Sequence, residues 1–421
     1  MHTVGCKVLE DKNEISTLQT YYKSNIINET EIKKGGASMG QTIRYEIKQT
    51  VLLWAIEESQ KNMSDIESKF PKINEWITGA SMPTMKQIEN LASYLKIPFG
   101  YMFLATPPKS NIMKAEFRSI DNKLPDVSKN LKDTLLEMDR SQSWMSEFRQ
   151  DLGWDKLDVI TSFEIQTTNN TTTVEIAKLA KTLLGLEEEW YLKCSTHEQA
   201  YNFLREKLES VGILVMQNGT VGFDTHRKLD LNEFRAFMLY DDYAPLIFVN
   251  GTDSPAGKIF SLKHEYIHIL YQQDDIISES SQVEIKQNER KINQIAAEIL
   301  MPKEVIKAKW VELEDKEELV RIDKISKLLK VSSYAVAVKL SEMKMIADHI
   351  VATIASQSRN IKRSKSGGDF YKTYFTKMSS SFLKSVISQT ESGNLSYTYA
   401  FKLLGGIKGN VYNEIRGELY G

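Results

Sequence analysis

The sequence predicts an α+β protein that is mostly helical and carries one small sheet. Three observations lead there. From Tyr45 onward, apolar residues recur at helical spacing over most of the length. Only one region carries short β-rich runs bounded by Gly, Asp or Pro: GILVMQ, EFRAFMLY and APLIFVNG. A length of 421 residues exceeds what one core organises and gives room for about three domains of ordinary size.

Composition narrows the class further. Apolar residues at 41%, aromatics at 10% and charged residues at 26% match an ordinary globular chain. A formal net charge of −2 makes the molecule as a whole a poor binder of polyanions, so a nucleic-acid role has to come from a local patch. Cys6 and Cys194 are far apart and lack framework spacing, which fits a reducing interior. No run of about 18 apolar residues occurs, and the amino terminus lacks the basic and apolar blocks of a signal peptide. The expectation is a cytoplasmic protein with no membrane partner.

Taken in order, residues 1–38 are polar, end in KKGGAS, and read as a flexible extension whose removal leaves folding intact. Residues 39–108 hold the short helices VLLWAIEES, MSDIESKF, PKINEWITG and TMKQIENLASYLKI, with Pro71 and Pro83 near helix starts and Gly79 at an end. Pro107 and Pro108 give this segment a stiff exit. Residues 109–194 read as a helical connector, LKDTLLEMDRSQSWMSEFRQDLGW and VEIAKLAKTLLGL, broken by the loop QTTNNTTT. In residues 195–347 the helix EQAYNFLREKLESVG leads into the three β-rich runs and then into KIFSLKHEYIHILYQQ. Three further helices follow, in VEIKQNERKINQIAAEILM, EELVRIDKISKLLK and VSSYAVAVKLSEMKMI. Residues 348–421 are a helical carboxy-terminal region opening with the basic loop SRNIKRSKSGGD. Basic residues interleaved with Phe370, Tyr371, Tyr374 and Phe375 can track a nucleic-acid strand. A charge run is more often a solvated segment, and that is the reading adopted.

The run at 264–268 carries the chemistry. His264 and His268 lie four residues apart, so on a helix both present a ring nitrogen from one face to a single ion. Glu265 is rotated by about 100° from His264, outside the ligand pair yet near a water at the ion, where a general base belongs. Phe260, Leu262, Tyr266, Ile267, Ile269, Leu270 and Tyr271 make the helix apolar nearly all round and predict burial. Buried imidazoles are costly without partners, and an ion supplies one for each. A catalytic zinc takes three protein ligands and keeps one position open. Downstream candidates for the third are Asp274, Asp275, Glu279, Glu284, Glu289 and Glu298. The first two sit too close to the helix end to fold back easily, and spacing does not choose among the others.

The run ERKINQIAAEILMP, residues 289–302, resembles the E-x-x-A-N-x-F-A-x-x-L-L-M-P signature that follows HExxH in the ImmA/IrrE family of zinc metallopeptidases. The resemblance implies a gluzincin-like domain over 195–347, one Zn²⁺ per chain held by His264, His268 and Glu289, and Glu265 as the catalytic base. Asn293 falls one turn beyond Glu289 on the same face, where it can hold a ligand by a hydrogen bond. Ile292 and Ile295 stand where Ala and Phe are usual, and Lys339 in VSSYAVAVKL stands where Arg is common. His226, Tyr240 and Tyr271 are possible oxyanion donors, each better read as a structural or surface residue.

Residues 45–108 are similar to the XRE-type helix-turn-helix that often precedes such a domain. Its reading helix corresponds to Pro71–Gly79, with Lys72, Asn74 and Thr78 as exposed DNA contacts. The chain departs from the pattern where Lys69-Phe70 pass straight into Pro71, and Asp65, Glu67 and Glu75 offset Lys61, Lys69 and Lys72. The resemblance implies a regulator that cleaves one partner protein, a repressor or a toxin. The alternative is a DNA-binding repressor or antitoxin, bound through residues 45–104, whose metal site is not catalytic.

Overall fold

The structure is a computed structural model that describes residues 43–108, 127–168, 170–272, 282–358 and 370–420. The chain separates into two compact units, Met1–Pro108 and Lys109–Gly421. The extension 1–38, the loop 359–369, Asp274, Asp275 and Glu279 lie outside the described residues, as does the side chain of Glu284.

In the first unit, α1 (Gln49–Glu58), α2 (Met63–Lys69), α3 (Ile73–Thr78) and α4 (Met85–Leu95) enclose a core that includes Leu52, Ile66, Ile73, Trp76 and Leu91. Thr84 and Gln87 form a reciprocal capping box at the start of α4, satisfying two donors that the helix cannot pair internally. Gly79 ends α3 in a left-handed conformation, φ +75°, that a side chain resists. Pro71 and Lys72 precede α3 and only Phe70, Pro71 and Lys72 separate it from α2, so the turn is short, as the sequence implies.

The second unit begins with α5 (Lys129–Asp151), α6 (Asp158–Gln166), α7 (Thr173–Leu183) and α8 (His197–Ser210). The strands are β1 (Leu214–Asn218), β2 (Thr220–Val221), β3 (Asp224–Lys228), β4 (Ala236–Leu239) and β5 (Leu246–Asn250). Then come α9 (Pro255–Leu270), α10 (Gln282–Leu300), α11 (Lys303–Glu312), α12 (Glu318–Leu329), α13 (Ser333–Glu342) and α14 (Asp348–Ser358). α15 (Phe370–Lys377), α16 (Ser380–Glu391), α17 (Tyr397–Leu403) and α18 (Gly409–Tyr420) complete it. Among the described residues, no helix is long and apolar enough to cross a membrane.

The main sheet has the order β1-β5-β4, with β1 parallel to β5 in the register Val215↔Ile247, and β4 antiparallel to it, Met238↔Ile247. β5 is buried along its whole length, which is why LIFVN is continuously apolar until its last residue. Alternation divides the sheet cleanly. Val215, Ile247 and Val249 face a core built with α6 to α14, while Leu214, Met216, Leu246 and Phe248 face a second core built with α5 and α15 to α18. Arg205 of α8 joins the two sides: its guanidinium donates to the carbonyls of Val215 (3.1 Å), Thr376 (2.6 Å) and Met378, and it pairs with Glu209 at 3.2 Å.

Several elements escape the sequence reading, among them α6, whose stretch DVITSFEIQ lies between the two helices read in the connector. α11 buries only Ile306 and Trp310, a stripe too sparse to register as amphipathic, and on α14 Ile354 is the one buried residue described. The β2–β3 ribbon consists of TV paired with the polar DTHRK, so no apolar alternation marks it.

Candidate metal centre

α9 lies against β4, β5, α8 and α10. Ser254 caps its first turn by accepting from Gly257 N at 3.1 Å, and Pro255 occupies the first helical position, where its missing N–H costs nothing. Gly257 leaves room for the buried Asp253 carboxylate, which accepts from Ser254 N at 2.6 Å and from Arg235 at 2.8 Å. On the back of the helix the buried Tyr266 hydroxyl donates to the Ala180 carbonyl of α7 at 3.1 Å. That bond ties the back of α9 to α7, with the histidine pair on the side that meets α10.

The two histidines and Glu289 come together. The Nε2 atoms of His264 and His268 lie 3.0 Å apart. Glu289 Oε1 is 3.1 Å from His264 Nε2, and its Oε2 is 3.6 Å from His268 Nε2. Among the described residues these three form the one His/Cys/Asp/Glu group whose donor atoms all fall within 4.8 Å of one another, a set able to hold a divalent cation. Burial opposes charge on Glu289, but its contacts with the two imidazoles outweigh burial and hold its carboxyl well below the ordinary range.

Asn293 settles which nitrogen of His264 faces the group. Its Nδ2 donates to the Glu289 carbonyl at 2.9 Å and approaches Glu289 Oε1 at 3.4 Å, which leaves Oδ1 turned to His264 Nδ1 at 3.1 Å. An amide oxygen only accepts, so Nδ1 carries the proton and Nε2 offers its lone pair. Glu265 is partly exposed beside this group, and no hydrogen bond ties its carboxylate among the described residues.

Other positions singled out from the sequence lie elsewhere. Glu298 is bound to Lys339. Tyr240 donates to Asp242 at 2.8 Å, the Tyr271 hydroxyl is buried with its ring edge-on to Phe163, and His226 is exposed on β3. In the first unit Lys72, Asn74 and Thr78 are exposed on or beside α3, but Asn74 Nδ2 donates to Glu67 at 2.8 Å and the Thr78 hydroxyl to the Asn74 carbonyl at 2.9 Å. Lys61 and Lys69 sit over the Tyr94 ring, at 4.6 and 4.3 Å from its centroid. Two residues near the centre, Phe260 and Lys263, were not read from the sequence as part of the site. Phe260 packs on His264 with ring centroids 6.3 Å apart, a neighbour that its spacing one turn earlier could have signalled. Lys263 is fully buried, its Nζ has no hydrogen-bond partner among the described residues, and burial brings its ammonium down to about 7.

Residues 208–341 match the family model of the IrrE N-terminal-like domain, Peptidase_M78. That stretch runs from the end of α8 through α13 and contains the sheet, both histidines, Glu289 and Asn293. The matched IrrE-like domain is thus that of a peptidase family, and it is about a third of the chain. No curated protein and no solved structure gives a significant match.

Proposed function

We propose that the protein is a zinc-dependent metalloendopeptidase that acts in the cytoplasm as a regulator, hydrolysing a specific partner protein such as a repressor or a toxin. The observation that carries this reading is the convergence of His264, His268 and Glu289, with Asn293 fixing the tautomer of His264. Zinc bonds of 2.0–2.2 Å to nitrogen and oxygen imply donor–donor edges of about 3.3–3.6 Å in a tetrahedron. The two Nε2 atoms are 3.0 Å apart, each has a Glu289 oxygen within 3.1–3.6 Å, and one donor atom from each of the three residues lies within 4.8 Å of the others, a spread that a modest adjustment of the carboxylate brings to those edges.

A structural zinc site is closed by a fourth protein ligand, whereas a catalytic one keeps a position open. Three converging donors among the described residues favour the second kind. Zinc held there supplies Lewis acidity at a scissile carbonyl and acidifies water toward neutrality. The chain supplies the rest. Glu265, uncommitted and partly exposed, accepts the proton of the attacking water and returns it to the departing amine nitrogen. His264 and His268 would hold the ion through their Nε2 atoms, and Glu289 contributes the negative charge.

The test is Glu265→Gln. It should leave about one zinc per chain in purified protein and abolish cleavage of candidate partners, as should a chelator with the wild type. Cleavage that survives either treatment rejects the reading.

A further inference from the structure

Lys339 occupies no surface role. Its ammonium lies 2.7 Å from Glu298 Oε2, and the two side chains are only 12% and 11% exposed. The other oxygen of Glu298 accepts from the backbone N–H of Lys303 at 2.9 Å, one of the donors at the start of α11 that no helical carbonyl can reach. Glu298 follows Glu289 by nine residues on α10, which places it about 180° around the helix. The helix therefore presents its site carboxylate on one side and a doubly anchored carboxylate on the other.

Much of what holds α10 is apolar, through Ile292, Ile295, Ile299 and Leu300. Such contact is non-directional, so it fixes spacing better than rotation. With side chains ending about 5–6 Å from the axis, a roll of about 10° moves a carboxylate by about 1 Å. A metal site tolerates about 0.2 Å. Packing alone leaves the carboxylate too free; the Asn293–His264 hydrogen bond ties the site face of the helix at one point, and a second directional anchor on the far face is needed to fix its roll.

We infer that the Glu298–Lys339 ion pair is the positioning device of the metal centre: it sets the roll of α10 and thereby holds Glu289 against the histidine pair. The inference rests on the zinc reading of that centre. Neither residue touches the ion or a substrate, so both are positioning residues.

Removing one partner strands a charge in the interior, whereas neutralising both commonly leaves stability near its starting value. The decisive variant is therefore Glu298→Gln with Lys339→Met, set beside Lys339→Arg and the wild type. Zinc affinity is read by competition with a chromophoric chelator, and the ligand set by the visible absorption of the cobalt(II)-substituted proteins. Wild type and Lys339→Arg should agree in both. The double variant should fold, judged by circular dichroism, bind zinc about tenfold more weakly, and give an altered cobalt spectrum. A folded double variant with wild-type affinity and spectrum overturns the positioning role and leaves the zinc reading standing. A wild type that takes up no zinc overturns both. Should the double variant fail to fold, Glu298→Gln with Lys339→Gln, which also leaves no stranded charge, decides on the same readouts: weaker zinc binding with an altered cobalt spectrum supports the role, and unchanged binding overturns it.

Discussion

Replacing Asn293 with alanine should weaken zinc binding by about tenfold while leaving the fold intact. The side chain makes one hydrogen bond to His264 Nδ1 at 3.1 Å and donates to the Glu289 carbonyl at 2.9 Å. A net hydrogen bond between neutral groups contributes about 1 kcal/mol, about fivefold in affinity. Freed of its acceptor, the imidazole populates both tautomers, and only one offers Nε2, which adds a factor of about two. Their product, about tenfold or about 1.4 kcal/mol, sits at the low end of the 10–100-fold range typical of groups that hold metal ligands. Titrating the variant and the wild type against the same chelator gives the ratio directly. Equal affinities, with unchanged circular dichroism, would show that Asn293 does not select the tautomer of His264.

Other perturbations follow from features at a distance from the ligands. Lys330 ends α12 in a left-handed conformation, φ +58°, which costs a side-chain-bearing residue about 1 kcal/mol, so Lys330→Gly should raise the melting temperature by about 2 °C. A fall in melting temperature would contradict this. Gly257→Ala would place a Cβ 2.5–2.7 Å from the Asp253 carboxyl atoms, and should destabilise the protein by about 1–3 kcal/mol in urea unfolding; an unchanged midpoint refutes it. Glu137 lines a cavity of about 20 Å³ with Lys377, Phe223 and Gly222. Burial pushes its carboxyl above the ordinary 4.5, against the pull of Arg140 and Lys377. A carboxyl raised in this way takes up a proton on folding, so its contribution is full below pH 4.5 and is lost as pH rises through the raised value. Melting temperatures of the wild type should therefore decline relative to Glu137→Gln as pH rises from 4.5, and parallel curves would rule this out.

Much of the candidate centre is legible in the sequence, because two of the proposed ligands and the adjacent carboxylate occupy five consecutive residues. A local motif states its own geometry once the helix is assumed. Glu289 was not legible in that way: spacing left several carboxylates open, and only the resemblance chose among them. The partner of Asn293 was also hidden, since its spacing allowed a hydrogen bond to a ligand but named no acceptor. β5 announced itself by continuous apolarity, whereas the β2–β3 ribbon, α11 and α14 left no pattern because they bury too little. The least readable feature was pairing over long separations. Lys339 with Glu298 are 41 residues apart, and Arg205 reaches carbonyls 171 and 173 residues away. Periodicity reports which face of an element is apolar, and is silent on what covers it.

The clasp made by Arg205 has a practical corollary for anyone shortening this gene. Cutting at the edges of the matched stretch, 208–341, would remove Arg205 itself and every helix that shields Leu214, Met216, Leu246 and Phe248. The fragment would carry a bare oily wall and should precipitate, whereas a version starting near residue 127 and running to 420 keeps that wall dry.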